Sequence, residues 1–464
     1  MTPAGLATVV GGPSIRHCQT MDSAPLWNPK SERLPRRELD MLQCSRLRQV
    51  CVRAARDSDF YRRRFASAGF DPASLRSLED ARAIPLLDRT AWEAGASASE
   101  PFGMRCALDP ITAVRCHSTS GTSGREPLRV LDTRTDWQWI VECWCTGLWG
   151  AGVRPGDRVL VAFGYGAFIG FWGAHDALAR IGCMVIPTGG QDSVRRLSLI
   201  RELDISVVCL TPTYALRLPQ LAREAGIDLR DSSVRLVVVS GEPGGSIPSV
   251  RALVEQEWGA ECRDAAGMTE LGTIMAFQCP CDGGAMHIIE DQFFEEVIDP
   301  QSGDPVPYGC EGERVVTSFG RRLMPLVRYR TGDRVVRVAG GGCACGRSWD
   351  MYRGGILGRI DDLRVVRGAN IHPNTVESLV RLEPSISEYR IRIWRRNERR
   401  DEVTVEVELK AGAESDSTAV VKRLAENLSR EHGGLQILVD VLPTGVLPRP
   451  ELKSRRLIDE RAAR

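Results

Sequence analysis

Between Pro35 and about Ala68, apolar residues recur at mixed three- and four-residue steps: Leu39, Leu42, Leu47, Val50 and Val52. That period predicts a helical stretch, and Gly69 and Pro72 punctuate its end. Residues 1 to about 25 show no period and read as a loose tail. From 155 to 265 short apolar runs alternate with helical patterns. "RVLVAF", "CMVIP", "ISVVCL" and "RLVVVS" read as strands. Helices are predicted at 172–181, from an Asp192 cap through "SVRRLSLIREL", at 213–224, and around Val250, Leu253 and Val254 with Gly259 as the stop. Strand and helix in turn predict a parallel sheet covered on both faces. Ligands in such sheets sit beyond the carboxyl ends of the strands.

From about 293 to 337 the pattern is mostly strands. After Gly358 a smaller α+β unit is predicted: "LRVVRG" and "YRIRIW" around a helix near 374–382, then "EVTVEVELK", a helix at about 416–430 and "QILVDVL". The expected fold class is therefore α/β. A large domain, residues 1–360, holds parallel α/β layers and a β-rich subdomain; a small α+β domain covers 361–464.

Composition narrows the partners. The 464 residues carry a net charge of +1, from 61 basic and 60 acidic side chains. That balance gives no reason to expect nucleic acid or an anionic membrane. The longest uncharged apolar stretch, Val159 to Ala174, is shorter than the roughly 18–20 residues of a membrane helix. Fifteen cysteines without a secretory signal pattern predict reduced thiols and a cytoplasmic setting.

Loops after strands hold the candidate chemistry. "CHSTSGTSGREP" (116–127) offers small residues, hydroxyls and Arg125. Successive N–H groups in such a loop can cradle a polyphosphate, although the run lacks the P-loop spacing and could be a plain flexible loop. "GYGAFIGFWG" lacks dinucleotide-fingerprint spacing; its aromatics could line an apolar pocket or pack a core. "SGEPGG" (240–245) and "AAGMTELG" (265–272) are glycine-rich turns after apolar strands, where a nucleotide can rest. Glu270 could hold Mg²⁺ through a water or be a solvated acid. Asp333, in "YRTGDR", could accept two ribose hydroxyls or close a simple turn. Cys279, Cys281, His287, Cys343 and Cys345 could supply four ligands to tetrahedral Zn²⁺, with Cys281 the spare, or could be free thiols.

In this order the motifs resemble the acyl-adenylate-forming superfamily, and more closely the phenylacetate–CoA ligase family. The resemblance runs from "WNPKSERLPRRELDMLQ" almost to the C-terminus. Its most specific pieces are "YRTGD", "CACGR", "GRIDDLRVVRGANIHP" and "KSRRLIDER". It implies activation of a small aromatic carboxylic acid as acyl-AMP with release of pyrophosphate, then transfer to a thiol, usually that of coenzyme A.

Residue by residue, the resemblance implies that Ser120, Gly121, Thr122, Ser123, Gly124 and Arg125 cradle the β- and γ-phosphates. Ser240, Gly241, Glu242 and Pro243 flank adenine. Ala265 and Ala266 lead into Gly267, Met268, Thr269 and Glu270, which meet the α-phosphate and magnesium. Asp333 holds the ribose, and Arg359 reaches ribose or phosphate. Phe163, Tyr165, Phe168 and Ala265 line the acyl pocket. Lys453 reaches the α-phosphate and the carboxylate, and Asp361 is the hinge of a mobile C-terminal domain. Cys279, His287, Cys343 and Cys345 bind zinc, and a homodimer is a family-level expectation.

Four departures bear on specificity. Arg125 stands in place of lysine, Ala266 of an aromatic residue, Leu452 of glycine and Phe163 of tyrosine. They leave open an acyl carrier protein, an amine or another nucleophile as acceptor, and another oxyacid such as nitrite as substrate. A non-catalytic nucleotide-binding homologue is the reading from a different class.

Overall fold

Ser58 divides the amino-terminal helical stretch in two. It ends the helix Arg36–Asp57 in an extended conformation, and its hydroxyl accepts the Tyr61 N–H to start Asp59–Ser67. The computed structural model describes residues 25–94, 102, 105–119, 127–281, 283–396, 400–413, 415, 417–449 and 456–462.

The alternating region forms the expected parallel sheet. Across it run Met184–Pro187, Arg158–Val161, Val207–Leu210, Leu236–Ser240 and Glu261–Met268, each parallel to its neighbour. The intervening helices start and stop as their sequences dictate. Asp192 accepts the Arg195 N–H at the start of Ser193–Glu202, and Gly259 takes a left-handed φ of 62° after Pro248–Trp258.

The β-rich strands continue the hydrogen-bonded path of the parallel sheet. Thr273–Phe277 pairs antiparallel with Glu261–Met268, and pairing continues through Met286–Ile288, Met351–Tyr352, Tyr329–Val338 and Glu311–Ser318 to Phe293–Ile298. The parallel strands and the β-rich strands thus share one hydrogen-bonded path.

One major helix, Arg134–Ala151, has no counterpart among the sequence expectations. Its start is a capping box between Thr133 and Asp136. It is apolar on nearly every side, so no narrow stripe marks it. Gly147 and Gly150 let it lie directly on Ile274 and Phe277, where a Cβ would collide.

Beyond Leu363 a second core begins. Val366, Ile371, Val376, Val380, Ile391, Val405, Leu424 and Leu428 form a cluster distinct from that of the large sheet. Its sheet has the order Leu438–Leu442, Arg400–Leu409, Ile386–Arg396, Leu457–Asp459. The helix Pro373–Arg381 faces Pro248–Trp258 of the large unit, where Ser249 Oγ donates to the Ser378 carbonyl at 3.0 Å.

Within Glu261–Met268, Asp264 is buried, and its carboxylate accepts the Ser246 hydroxyl at 2.8 Å. Desolvation pushes its pKa up to about 6, against hydrogen bonds from Ser246 and Ala265. The native state therefore holds this proton more tightly than the unfolded chain. Stability should fall as pH rises from about 4 to about 6 and stay flat above. Asp264→Asn should remove that slope, which is on the order of 3 kcal/mol for two pKa units. Urea denaturation of both proteins at pH 4.5 and 7 checks it.

Candidate functional site

The loops at the carboxyl ends of the parallel strands converge. Ser240 ends its strand, and its hydroxyl donates to the Ala265 carbonyl of the next at 2.6 Å. Gly241 turns the chain at φ 97°, and the following Glu242 carboxylate accepts the Thr213 N–H at 2.8 Å, in the first turn of Pro212–Glu224. Ala265, Ala266, Gly267 and Met268 close the adjacent strand; at Gly267 a Cβ would stand 3.0 Å from the Thr273 carbonyl oxygen. The Ser240–Pro243 turn and the Ala265–Glu270 segment are therefore neighbours across one strand pair.

Thr269 and Glu270 follow in a tight turn and are both buried. Burial raises the Glu270 pKa; Arg89 and Arg359 oppose that shift, and Asp333 adds to it. Arg89 Nη1 lies 3.7 Å from the Glu270 carboxylate. The Glu270 carbonyl accepts a 2.6 Å hydrogen bond from Arg321.

Asp333 and Arg359 meet through antiparallel pairing of Tyr329–Val338 with the short strand Gly358–Arg359. Their side chains are 3.4 Å apart, and Arg359 also lies 3.3 Å from the exposed Asp361. Arg314, wholly buried and paired with Glu295, stands 3.8 Å from the other Asp333 oxygen. Desolvation raises the Asp333 pKa, while Arg314 and Arg359 pull it back down. Gly332, at φ 73°, leaves room for the Arg359 guanidinium, which a Cβ would meet at 3.1 Å. Glu270, Asp333 and Arg359 thus share one electrostatic neighbourhood.

The aromatic segment is tied to the hairpin of Ala113–Ser118 and Arg129–Thr133. The Ala167 carbonyl accepts the Ser118 N–H at 2.8 Å. Phe163 is buried with its face stacked on Phe171. Tyr165, Phe168 and Trp172 are half-buried, and the Tyr165 hydroxyl lies 3.1 Å from His175 Nδ1. Open aromatic surface is offered by these residues rather than by Phe163.

Away from this cluster, Cys279, His287, Cys343 and Cys345 turn their ligand atoms within 4.8 Å of one another. Cys279 Sγ and Cys343 Sγ are 3.5 Å apart, and Cys345 Sγ is 3.4 Å from His287 Nε2. A disulfide needs about 2.05 Å. Zinc–sulfur bonds of about 2.3 Å at a tetrahedral centre put sulfurs about 3.8 Å apart. The spacing fits the second arrangement. Cys281 is exposed and stands outside the group, its N–H donating to Cys279 Sγ at 3.3 Å.

Ser120, Gly121, Thr122, Ser123, Gly124, Arg125 and Lys453 lie outside the described residues. The residues that flank the 120–126 segment are described: the Thr119 N–H donates to the Leu128 carbonyl and the Leu128 N–H to the Thr119 hydroxyl, each at 3.0 Å. Arg89, Arg314 and Arg321 enter the cluster but are absent from the sequence candidates. None belongs to a recognisable motif, and Arg314 stands in a strand, Glu311–Ser318, that carries other charged residues and so gives no local signal.

Among the described residues, no helix is long and apolar enough to cross a membrane. Residues 87–323 match the AMP-binding enzyme family, and residues 368–461 match the AMP-binding enzyme C-terminal domain. A phenylacetate–coenzyme A ligase of Thermus thermophilus is 33% identical across 94% of this chain and 100% of its own length. One from Pseudomonas putida is 34% identical, across 91% of this chain and 94% of its own.

Among solved structures, 2-hydroxyisobutyryl-CoA ligase in the postadenylation state with 2-HIB-AMP superposes with a TM-score of 0.89. It is 30% identical, over 96% of this chain and 94% of that one. The same ligase with 2-HIB-AMP and CoA in the thioesterification state gives 0.71, at 30% identity and 96% coverage of each chain. The chain belongs to the phenylacetate–coenzyme A ligase family of AMP-binding enzymes, which are AMP-forming acid–thiol ligases.

Proposed function

We propose that the protein activates a small aromatic carboxylic acid with ATP as acyl-AMP and transfers the acyl group to the thiol of coenzyme A. The observation that carries this reading is the meeting of Glu270, Asp333 and Arg359 beside the paired strand ends Ser240 and Ala265. A nucleotide laid across those ends would place adenine by Ser240–Pro243, ribose hydroxyls on Asp333, and the α-phosphate between Arg359 and the Gly267–Glu270 turn.

In the first step the substrate carboxylate attacks the α-phosphorus, forming one P–O bond and breaking the bond to pyrophosphate. Negative charge grows on the equatorial oxygens, and fixed cations and N–H groups aimed there lower the barrier. Arg359 supplies one cation, and Lys453 brings the second, with three donors for phosphate and carboxylate oxygens. Ser120–Arg125 hold the leaving pyrophosphate. Buried Glu270, its charge supported by Arg89, is the carboxylate that would hold Mg²⁺; a bound Mg²⁺ would neutralise phosphate charge.

In the second step a thiol sulfur forms the thioester bond and AMP departs. Lys453 must then withdraw, which assigns the hinge to Asp361 and the mobile unit to 361–464. Two facts support this division: the separate core beyond Leu363, and the unequal match to one relative in its two states.

The half-buried Tyr165, Phe168 and Trp172 supply the open aromatic surface of the acyl pocket, which suits an aromatic acid. Zinc is proposed at Cys279, His287, Cys343 and Cys345, where three thiolates and an imidazole form a closed structural set.

Pyrophosphate release measured across benzoic, phenylacetic, cinnamic and aminobenzoic acids, with and without coenzyme A, tests the substrate reading. At least one aromatic acid should stimulate release by about tenfold or more, which corresponds to roughly 1.4 kcal/mol of barrier. Stimulation by nitrite alone would replace the carboxylic acid. Thioester found only on a carrier protein would replace coenzyme A.

A further inference from the structure

Arg321 is wholly buried and makes three hydrogen bonds to two separate parts of the molecule. It donates to the Glu270 carbonyl at 2.6 Å, to the Leu131 carbonyl at 3.1 Å and to the Asp132 carboxylate at 2.6 Å. Asp132 is itself fully buried; burial raises its pKa, and the Arg321 charge beside it opposes that rise. Leu131 and Asp132 lie on Arg129–Thr133, which pairs antiparallel with Ala113–Ser118.

The neighbouring residues hold Arg321 in place. The Asp136 carboxylate, at the start of Arg134–Ala151, accepts the Arg322 N–H at 2.7 Å and the Leu323 N–H at 3.3 Å. Gly272, at φ 76°, brings the end of the Glu270 turn against the guanidinium; a Cβ there would stand 3.6 Å from its carbon. The guanidinium fork thus joins the turn that carries Glu270 to the hairpin strand Arg129–Thr133.

We propose that Arg321 is a positioning residue for the adenylation step. It fixes the turn that carries Glu270 in register with the hairpin strand Arg129–Thr133, so that the carboxylate that would hold Mg²⁺ keeps one position. The proposal rests on the adenylation reading above. Arginine suits this post because one planar fork reaches a carboxylate and two carbonyls at fixed angles, which an ammonium cannot reproduce. A small error in such a register costs rate out of proportion to its size.

The test uses the full-length enzyme with an acid that supports turnover, and compares Arg321→Met, Arg321→Lys and Asp132→Asn. Wild type must first show acid-dependent pyrophosphate–ATP exchange; without it the adenylation reading itself fails. Given that activity, Arg321→Met should raise the ATP KM and the half-saturating Mg²⁺ concentration by about tenfold or more, with the KM for the acid within about twofold. Arg321→Lys should recover part of the loss. Thioester formation from preformed acyl-AMP and coenzyme A should stay within about threefold of wild type, because that step uses neither pyrophosphate nor its metal.

Circular dichroism establishes which variants fold. If Arg321→Met does not, Arg321→Lys and Asp132→Asn carry the comparison, each expected to shift ATP and Mg²⁺ dependence in the same direction. Folded variants with wild-type ATP and Mg²⁺ dependence would overturn the proposal. So would equal losses in both half-reactions, which mark general structural damage.

Discussion

Replacing Lys453 with alanine should reduce acid-dependent pyrophosphate release by about a hundredfold to a thousandfold, roughly 3–4 kcal/mol of barrier, the range seen when one preorganised transition-state donor is removed. Nucleotide binding should survive, because Ser240–Pro243, Asp333 and Arg359 belong to the larger unit and do not depend on the tail. Thioester formation from preformed acyl-AMP should also survive, since Lys453 is proposed to act in the first half-reaction only. Rapid-quench measurement of both half-reactions, beside ATP binding by calorimetry, separates these effects. Equal loss of both half-reactions would place Lys453 in folding rather than chemistry. Unchanged pyrophosphate release would remove it from the site.

The second large effect concerns stability. Zinc at Cys279, His287, Cys343 and Cys345 would tie the Met286–Ile288 strand to the turns around residues 279 and 343–345. Loss of a structural metal belongs to the few single changes that cost on the order of 4 kcal/mol or more. In a unit of this size the melting temperature should drop by about 5–15 °C. Elemental analysis should find about one zinc per chain in wild type and less than about half in Cys343→Ser. Cys281→Ser should change neither metal content nor melting, because Cys281 faces solvent outside the ligand group. A wild type with no zinc, or a Cys343→Ser variant with full metal content, would remove the site.

Much of this architecture was legible in the pattern of residues. The parallel strands from Arg158 to Ser240 are short, apolar on both faces and bounded by turn residues, so period and punctuation agree. Asp192 and Gly259 mark helix ends because each satisfies a backbone need that few other residues meet. Arg134–Ala151 escaped because it is buried on several sides, which leaves no amphipathic stripe to count. The continuity of the β-rich strands with the parallel sheet was equally hidden. It depends on Thr273–Phe277 pairing antiparallel with Glu261–Met268, and strand order is not written in strand composition.

The candidate site divides in the same way. Glu270 lies in a glycine-bearing turn after a strand, a local pattern, and Cys-x-Cys pairs announce thiol chemistry; Asp333, expected in a turn, instead sits within the strand Tyr329–Val338, paired with Arg359. Arg89, Arg314 and Arg321 act through contacts with residues far away in the chain. Arg321 meets Asp132 across 189 positions and the Glu270 carbonyl across 51. No spacing rule reaches that far, so these arginines become visible only once the strands are assembled. Phe163 is a related case. The family resemblance implies an acyl-pocket wall there, while the residues alone left core packing open, and Phe171, from the first turn of the following helix, covers its face.

The central claim is adenylation, and isotope exchange between labelled pyrophosphate and ATP tests it with no thiol present. An aromatic carboxylic acid, ATP and Mg²⁺ should make label enter ATP, and AMP rather than ADP should accumulate when coenzyme A is then added. Exchange that is absent with every acid tried, or ADP as the nucleotide product, would contradict it.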